Sequence, residues 1–192
     1  MSVDLIGLVA GSGWAAGVNL YAVAVLLGLL GRLGLADVPE TLMRTDVLAV
    51  AGALYAVEFV VDKVPYLDSL WDTVHTIIRP LGAAAIGYLL AGQVDTIGQA
   101  VAAGASSLLA ASSHTAKATT RGAVNLSPEP TSNILVSLFE DGLVAGVVAL
   151  AVAFPIAALV VVVILLAASI FLAVKLLGAA RRRWRRRRSL AA

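Results

Sequence analysis

The sequence predicts an all-α, polytopic membrane helix bundle of about six transmembrane helices, with a short amphipathic helix at its interface. Three observations carry this reading. Of 192 residues, 60% are hydrophobic and 14% charged, with a mean hydropathy of +0.94, against about 45–50% and about 25% in soluble domains. The apolar residues gather near 5–31, 45–62, 79–93, 96–118, 132–153 and 156–178, most of them close to the roughly 20 residues a spanning helix needs. Charge is segregated: residues 181–188 hold seven of the fourteen basic residues, which leaves a balance of −5 on the rest of the chain. A disordered chain and a nucleic-acid-binding globule are excluded as the main identity. The absence of cysteine excludes disulfides, thiolate metal sites and a catalytic thiol.

The first stretch lacks the basic start and short apolar core of a signal peptide, so Met1 to Leu35 reads as a retained first helix. Gly11, Gly13, Ala15, Ala16 and Gly17 are small residues that allow close helix approach, and Asn19 is a mid-span amide in need of a partner. In the second stretch Glu58 and Asp62 stand four residues apart, which puts both carboxylates on one helix face. Ionisable groups inside a span cost roughly 2.5–3.5 kcal/mol, so they read as functional by default. An interfacial Asp62, simply hydrated beside Lys63, is the plainer alternative.

The segment 62–78 places Asp68, Asp72 and His75 at i, i+4 and i+7, beside an apolar stripe of Leu67, Leu70, Trp71 and Val74. This is the pattern of an amphipathic helix at the interface. Carboxylate and imidazole at that spacing suit a divalent cation, although such a stripe is more often a solvated face. The third stretch is short and opens with Pro80 and Gly82, which suggests a tilted or re-entrant element. His114, Lys117 and Arg121 share one face of the fourth helix, with Ser107 and Ala110 continuing it and Gly98, Ala102, Ala103, Gly104, Ala105 and Ser106 supplying small residues. That cationic face either neutralises Glu58 and Glu140 or receives an anionic headgroup at the following helix N-terminus.

Pro128 and Pro130 in the run from Asn125 to Asn133 end the fourth helix, and Ser132 or Asn133 caps the fifth. Glu140 and Asp141 are adjacent and point about 100° apart, so that one faces the bundle and the other a neighbour. A tight turn at Phe154–Pro155 separates the fifth and sixth helices. The arginine tail then marks the cytoplasmic side, with Trp184 at headgroup depth and the arginines against anionic lipid. Alternation places both termini, the 63–78 loop and the region 119–131 inside, and Arg32 and Arg44 outside.

Residues 1–178 form one membrane domain and 179–192 a cytoplasmic tail. Gly17-Val18-Asn19-Leu20 recurs as Ala123-Val124-Asn125-Leu126, each followed by a glutamate-bearing helix. Halves at 1–93 and 94–178 would form a three-plus-three inverted repeat, the construction of many secondary transporters.

Several of these motifs carry a resemblance. They are Gly17-Val18-Asn19-Leu20-Tyr21, the run from Asp62-Lys63-Val64-Pro65 through Trp71-Asp72 and His75-Thr76 to Arg79-Pro80, His114-Thr115-Ala116-Lys117-Ala118, Arg121, Asn125 to Pro130 and Glu140-Asp141. Together they resemble a family of small bacterial multi-pass membrane proteins defined as domain of unknown function 4126. The resemblance covers nearly the whole chain, leaves out the arginine tail, and implies a bacterial inner-membrane protein with no activity to import.

The leading functional expectation is a small secondary transporter or exchanger. Glu58, Asp62, Glu140, Asp141, Asn19 and Asn125 would form its substrate or coupling-ion site, and His114, Lys117 and Arg121 would balance charge or bind an anion. The Asp68/Asp72/His75 helix would act as an inner gate. A lipid or polyprenyl-phosphate translocator and a non-transporting scaffold are the alternatives. No enzyme is expected, because neither a Gly-x-Ser-x-Gly elbow nor a His-Glu-x-x-His motif is present. No cofactor is expected beyond the divalent cation considered above. The expected partners are the bilayer, anionic lipid at the tail, a small ion or lipid substrate and a second copy in a homo-oligomer, with no nucleic acid.

Overall fold

The structure, a computed structural model, describes residues 1–125 and 130–189. Its regular elements are α1 (Val3–Val18), α2 (Leu20–Arg32), the single turn α3 (Glu40–Met43), α4 (Thr45–Val61), α5 (Leu67–Leu90), α6 (Thr96–Val124), α7 (Pro130–Ala153) and α8 (Pro155–Ser189). By length and composition Leu67–Leu90, Thr131–Ala153 and Pro155–Leu172 are able to cross a membrane, and α1 and α2 are shorter apolar helices. Pro128 lies outside the described residues, as do the side chains of Trp184 and its flanking arginines.

The stretch expected to be one helix over 5–31 is two. Asn19 adopts an extended conformation (φ −149°, ψ 98°) between them. Its N–H donates to Ala15 O at 2.9 Å and closes α1, while its Oδ1 accepts from Ala22 N at 2.9 Å and opens α2. Asparagine favours helix caps over helix interiors because its amide competes for backbone groups. The chain turns back here. Leu35, Ala36 and Asp37, beyond the end of α2, line one cleft with Ser2, Asp4, Leu5 and Leu8, whereas a continuous helix would hold Leu8 and Leu35 roughly 40 Å apart.

That cleft also receives Leu90, Gln93, Ala151, Val152 and Pro155, so the start of α1, the loop after α2, the α5–α6 loop and the α7–α8 turn share one end. At the other end Arg121 of α6 reaches Asp62 after α4 and Asn133 at the start of α7. Helices α4 to α8 therefore each run from one end to the other, and the α1–α2 pair enters and returns. Three of these five, α5, α7 and α8, contain stretches long and apolar enough to cross a membrane, and the first residues lie at the end of the bundle opposite the C-terminal part of α8. The α1–α2 hairpin has no counterpart among α6, α7 and α8, so the three-plus-three repeat is not evident in the fold.

A second difference concerns 62–93. The amphipathic segment and the short third stretch form one continuous helix, α5, of 24 residues with Pro80 inside it. Polar and apolar faces carry the helix in from its end, and the apolar half completes the crossing. The interruption at Phe154 is as expected: α7 stops at Ala153 and α8 starts at Pro155.

Helix α1 is the central element, buried from Val9 to Val18. It packs on α6 through small residues: a Cβ at Gly17 would fall on Ala110 O and Ser113 Oγ. Ser106 Oγ and Ser113 Oγ donate to α1 carbonyls at Val9 (3.3 Å) and Trp14 (2.7 Å). Small residues and interhelical hydroxyl bonds are how helices associate where lipid supplies no hydrophobic drive. Leu81, Leu108, Leu135, Phe139 and Phe171 instead point outward and are exposed, a surface suited to lipid rather than water.

Candidate functional site

Among the described residues one ion pair, Arg44–Asp46, is exposed; all the others form a single buried network. Helix α4 contributes Glu58 and, at its C-cap, Asp62; α5 contributes Asp72 and Arg79; α6 contributes Lys117 and Arg121; α7 contributes Glu140. Helical spacing aligns them. Glu58 and Asp62 are one turn apart, as are Lys117 and Arg121, so two acidic rungs meet two basic rungs.

Arg79 is fully buried, with Nη2 2.8 Å from Glu58 Oε1 and Nη1 3.0 Å from Asp72 Oδ1. Its Nη1 also donates to Gly17 O at 3.3 Å and meets His114 Nδ1 at 2.7 Å. Lys117 Nζ sits between three carboxylates: Asp62 at 2.6 Å, Glu58 at 3.6 Å and Glu140 at 3.7 Å. It donates in addition to Val18 O at 3.1 Å. Arg121 Nη2 pairs with Glu140 Oε2 at 2.6 Å and approaches Asp62 Oδ2 at 3.5 Å. Its Nη1 donates to Asp62 O at 2.8 Å and to Asn133 Oδ1 at 2.7 Å.

The break at Asn19 makes part of this geometry. The carbonyls of Gly17 and Val18 lie in the last turn of α1, where helix geometry leaves them without intrahelical partners, and the cations of α5 and α6 use them. Three carboxylate-bearing helices, α4, α5 and α7, and the cation-bearing α6 thus close around a helix end whose carbonyl dipoles favour positive charge.

Around the network sits a polar shell. Asn19 Nδ2 donates to Asp141 Oδ1 at 3.3 Å, and Asn125 Nδ2 to Asp68 Oδ1 at 2.8 Å and Ser69 Oγ at 2.9 Å. Tyr21 Oη meets His75 Nε2 at 2.9 Å, and Thr76 Oγ1 meets His114 Nε2 at 3.1 Å. Lys63 Nζ donates to Ser137 Oγ at 3.3 Å and stands over the Phe59 ring.

The fold places together Glu58, Asp62, Glu140, Lys117, Arg121 and His114, as well as Asp72 from the amphipathic stripe. Asp62 is buried, not hydrated at a rim. Asp141 turns away to Asn19, as the 100° offset from Glu140 requires. Asp68, Asp72 and His75 share a face but have separate partners, namely Asn125, Arg79 and Tyr21. No group of three His, Asp or Glu side chains able to hold a metal ion occurs among the described residues. Sequence reasoning missed Arg79 as a site residue, along with Asn133 and Tyr21. The signal for Arg79 was present: it continues the stripe of Asp68, Asp72 and His75 one turn further.

A sequence model of one family, described as Domain of unknown function (DUF4126), matches residues 6–175. The chain belongs to this family. The match takes in α1 to α7, the apolar part of α8 and every member of the buried network, and stops short of the arginine tail. No curated protein and no solved structure shows a significant match to it.

Proposed function

We propose that this DUF4126 protein is a small secondary transporter or exchanger whose buried carboxylates bind a proton or a cation. One observation carries the reading. Within the network four acids, Glu58, Asp62, Asp72 and Glu140, are buried against three basic side chains, Arg79, Lys117 and Arg121. One negative charge remains over in the network, and Asp68 is buried beside it without an ion pair among the described residues. Uncompensated charge is expensive in a low-dielectric interior, so the surplus is met by protons shared across the network or by a bound cation. Buried carboxylate oxygens stand ready to hold them: Glu58 Oε2, Asp62 Oδ1 and Asp72 Oδ2 have no hydrogen-bond partner among the described residues. A polar notch formed by Ser69, Asp72, Thr73 and Thr76 opens toward Asp72 and offers a path from the surface.

The cationic face supports the carrier better than a phosphate receptor. Lys117 and Arg121 are committed to carboxylates at 2.6 Å, which leaves no free basic groove for a polyprenyl phosphate among the described residues of the bundle. In this reading the protein moves a solute and catalyses no bond change. The arginine tail sets its end of the bundle in the cytoplasm, against anionic lipid of a bacterial inner membrane, and the N-terminus faces the other side.

Proteoliposomes test the proposal. With a pH or alkali-cation gradient imposed, the wild type should dissipate it, and Glu58→Gln and Glu140→Gln should each abolish the flux while the protein still elutes as a folded species. Full flux in both variants would reject the carboxylate-coupled carrier. No flux in the wild type, with a fixed partner co-purifying, would favour a scaffold.

A further inference from the structure

Helices α6 and α7 make little mutual contact, and between them, floored by α1 and α8, lies a crevice of about 340 Å³. Its size falls in the roughly 300–1,000 Å³ range of small-molecule sites. Its walls are mostly apolar, including Trp14, Leu143, Leu165 and Leu172, and Phe139 at its mouth is 68% exposed. Two charged residues reach it, Lys117 and Glu140, both members of the ion-pair network.

Their accessibility differs. The Lys117 side chain is 2% exposed, and its ammonium is enclosed by Asp62 and Val18 O. The Glu140 side chain is 12% exposed. All its hydrogen bonds and ion pairs use Oε2: Arg121 Nη2 at 2.6 Å, Arg121 Nε at 3.2 Å and Lys117 Nζ at 3.7 Å. Oε1 has no protein partner among the described residues. The free valence at the base of this apolar crevice is thus a carboxylate oxygen, in a network that already holds surplus negative charge.

From this we propose that the crevice is the entry site for a lipophilic organic cation, whose positive charge is received by Glu140 and whose apolar groups fill the space between α6, α7 and α8. The inference rests on the carrier reading above and names its substrate class. An anion or a phosphate headgroup would meet the carboxylate; a neutral amphiphile would leave Oε1 unpaired. A delocalised cation satisfies the carboxylate and stacks on aromatic faces, which Trp14 and Phe139 supply. It needs no aqueous route, because the mouth opens on the side of the bundle where apolar residues are exposed.

Two ions of matched shape and opposite sign, tetraphenylphosphonium and tetraphenylborate, test it on the full chain in lipid nanodiscs. Tetraphenylphosphonium should bind saturably and tetraphenylborate should not. Glu140→Gln should weaken binding at least about tenfold, a loss of about 1.4 kcal/mol, and Glu140→Asp should retain most of it. Because loss of the carboxylate also unpairs Arg121, Ala168→Trp provides the second variant. It fills the crevice without touching the network and should abolish binding while leaving thermal stability near wild type. Equal or preferred binding of tetraphenylborate overturns the proposal. Absence of tetraphenylphosphonium binding in a protein that still dissipates an ion gradient rejects this substrate class and leaves the carrier standing; absence of both binding and flux rejects the two together.

Discussion

Taking away the guanidinium of Arg79 leaves Glu58 and Asp72 buried without their common counter-ion and His114 without its neighbour at 2.7 Å. Breaking a buried pair from one side costs about 3–5 kcal/mol, because the remaining charge is stranded. Arg79→Gln should therefore lower the detergent melting temperature far more than Glu58→Gln, which removes one of the surplus acids. In the double variant much of the loss should return, and a melting-temperature cycle over the four proteins reads that coupling. Simple additivity would mean that the pair is hydrated. The prominence of Arg79 was hard to see in the sequence for a physical reason. It stands at the join of a polar and an apolar stretch, where a positive charge is also what a cytoplasmic loop end carries. Only the run Asp68, Asp72, His75, Arg79 distinguishes the two situations. Glu58 and Lys117 have apolar neighbours on both sides, and Glu140 lies well inside an apolar stretch although Asp141 follows it, so all three are legible as charges within a span.

Among the helices, the ones that sequence periodicity and composition delimit well are α4, α6 and α7. Their expected ranges of 45–62, 96–118 and 132–153 fall close to the observed Thr45–Val61, Thr96–Val124 and Pro130–Ala153. The failure at α1–α2 has a definite cause: average hydropathy over 5–31 is high throughout, and one amide does not change it. Yet that amide supplies both caps. Asn19→Ala should cost about 1 kcal/mol for the lost cap, with a further loss from unpairing Asp141. Asn19→Ser, which still caps α2, should recover the first part alone. Chemical denaturation of the three proteins in one detergent separates the contributions. A neutral Asn19→Ala would mean that α1 and α2 join as one helix in solution. Gly17 belongs to the same joint. A side chain there strikes the Ala110 carbonyl and the Ser113 hydroxyl, so Gly17→Val should force α1 off α6, shift the Gly17 and Val18 carbonyls away from Arg79 and Lys117, and abolish flux along with stability.

At the scale of the molecule, the decisive feature is how many times the chain passes from one end to the other. Helix α1, with 16 residues, reaches about 24 Å, short of the roughly 30 Å hydrocarbon core of a bilayer. It therefore suits a re-entrant element whose tip, Asn19, is sheltered by protein, the condition under which non-helical backbone is tolerated at membrane depth. The proposed arrangement, a re-entrant pair followed by five crossings, would put residues 2 and 37 on one face of the membrane and residue 64 on the other; six crossings would separate 2 from 37. The chain contains no cysteine, so single substitutions Ser2→Cys, Asp37→Cys and Val64→Cys can be read in intact cells with a membrane-impermeant maleimide and no background. Positions 2 and 37 should label from outside, and position 64 only after the membrane is opened. Labelling of 37 but not of 2 would restore the six-span arrangement. It would also remove the buried carbonyl end of α1 from the ion-pair network, because carbonyls in the middle of an unbroken helix are already bonded within it. Topology and site stand or fall together: the turn at Asn19 on which the proposed odd crossing number rests is the same turn that frees the Gly17 and Val18 carbonyls for Arg79 and Lys117.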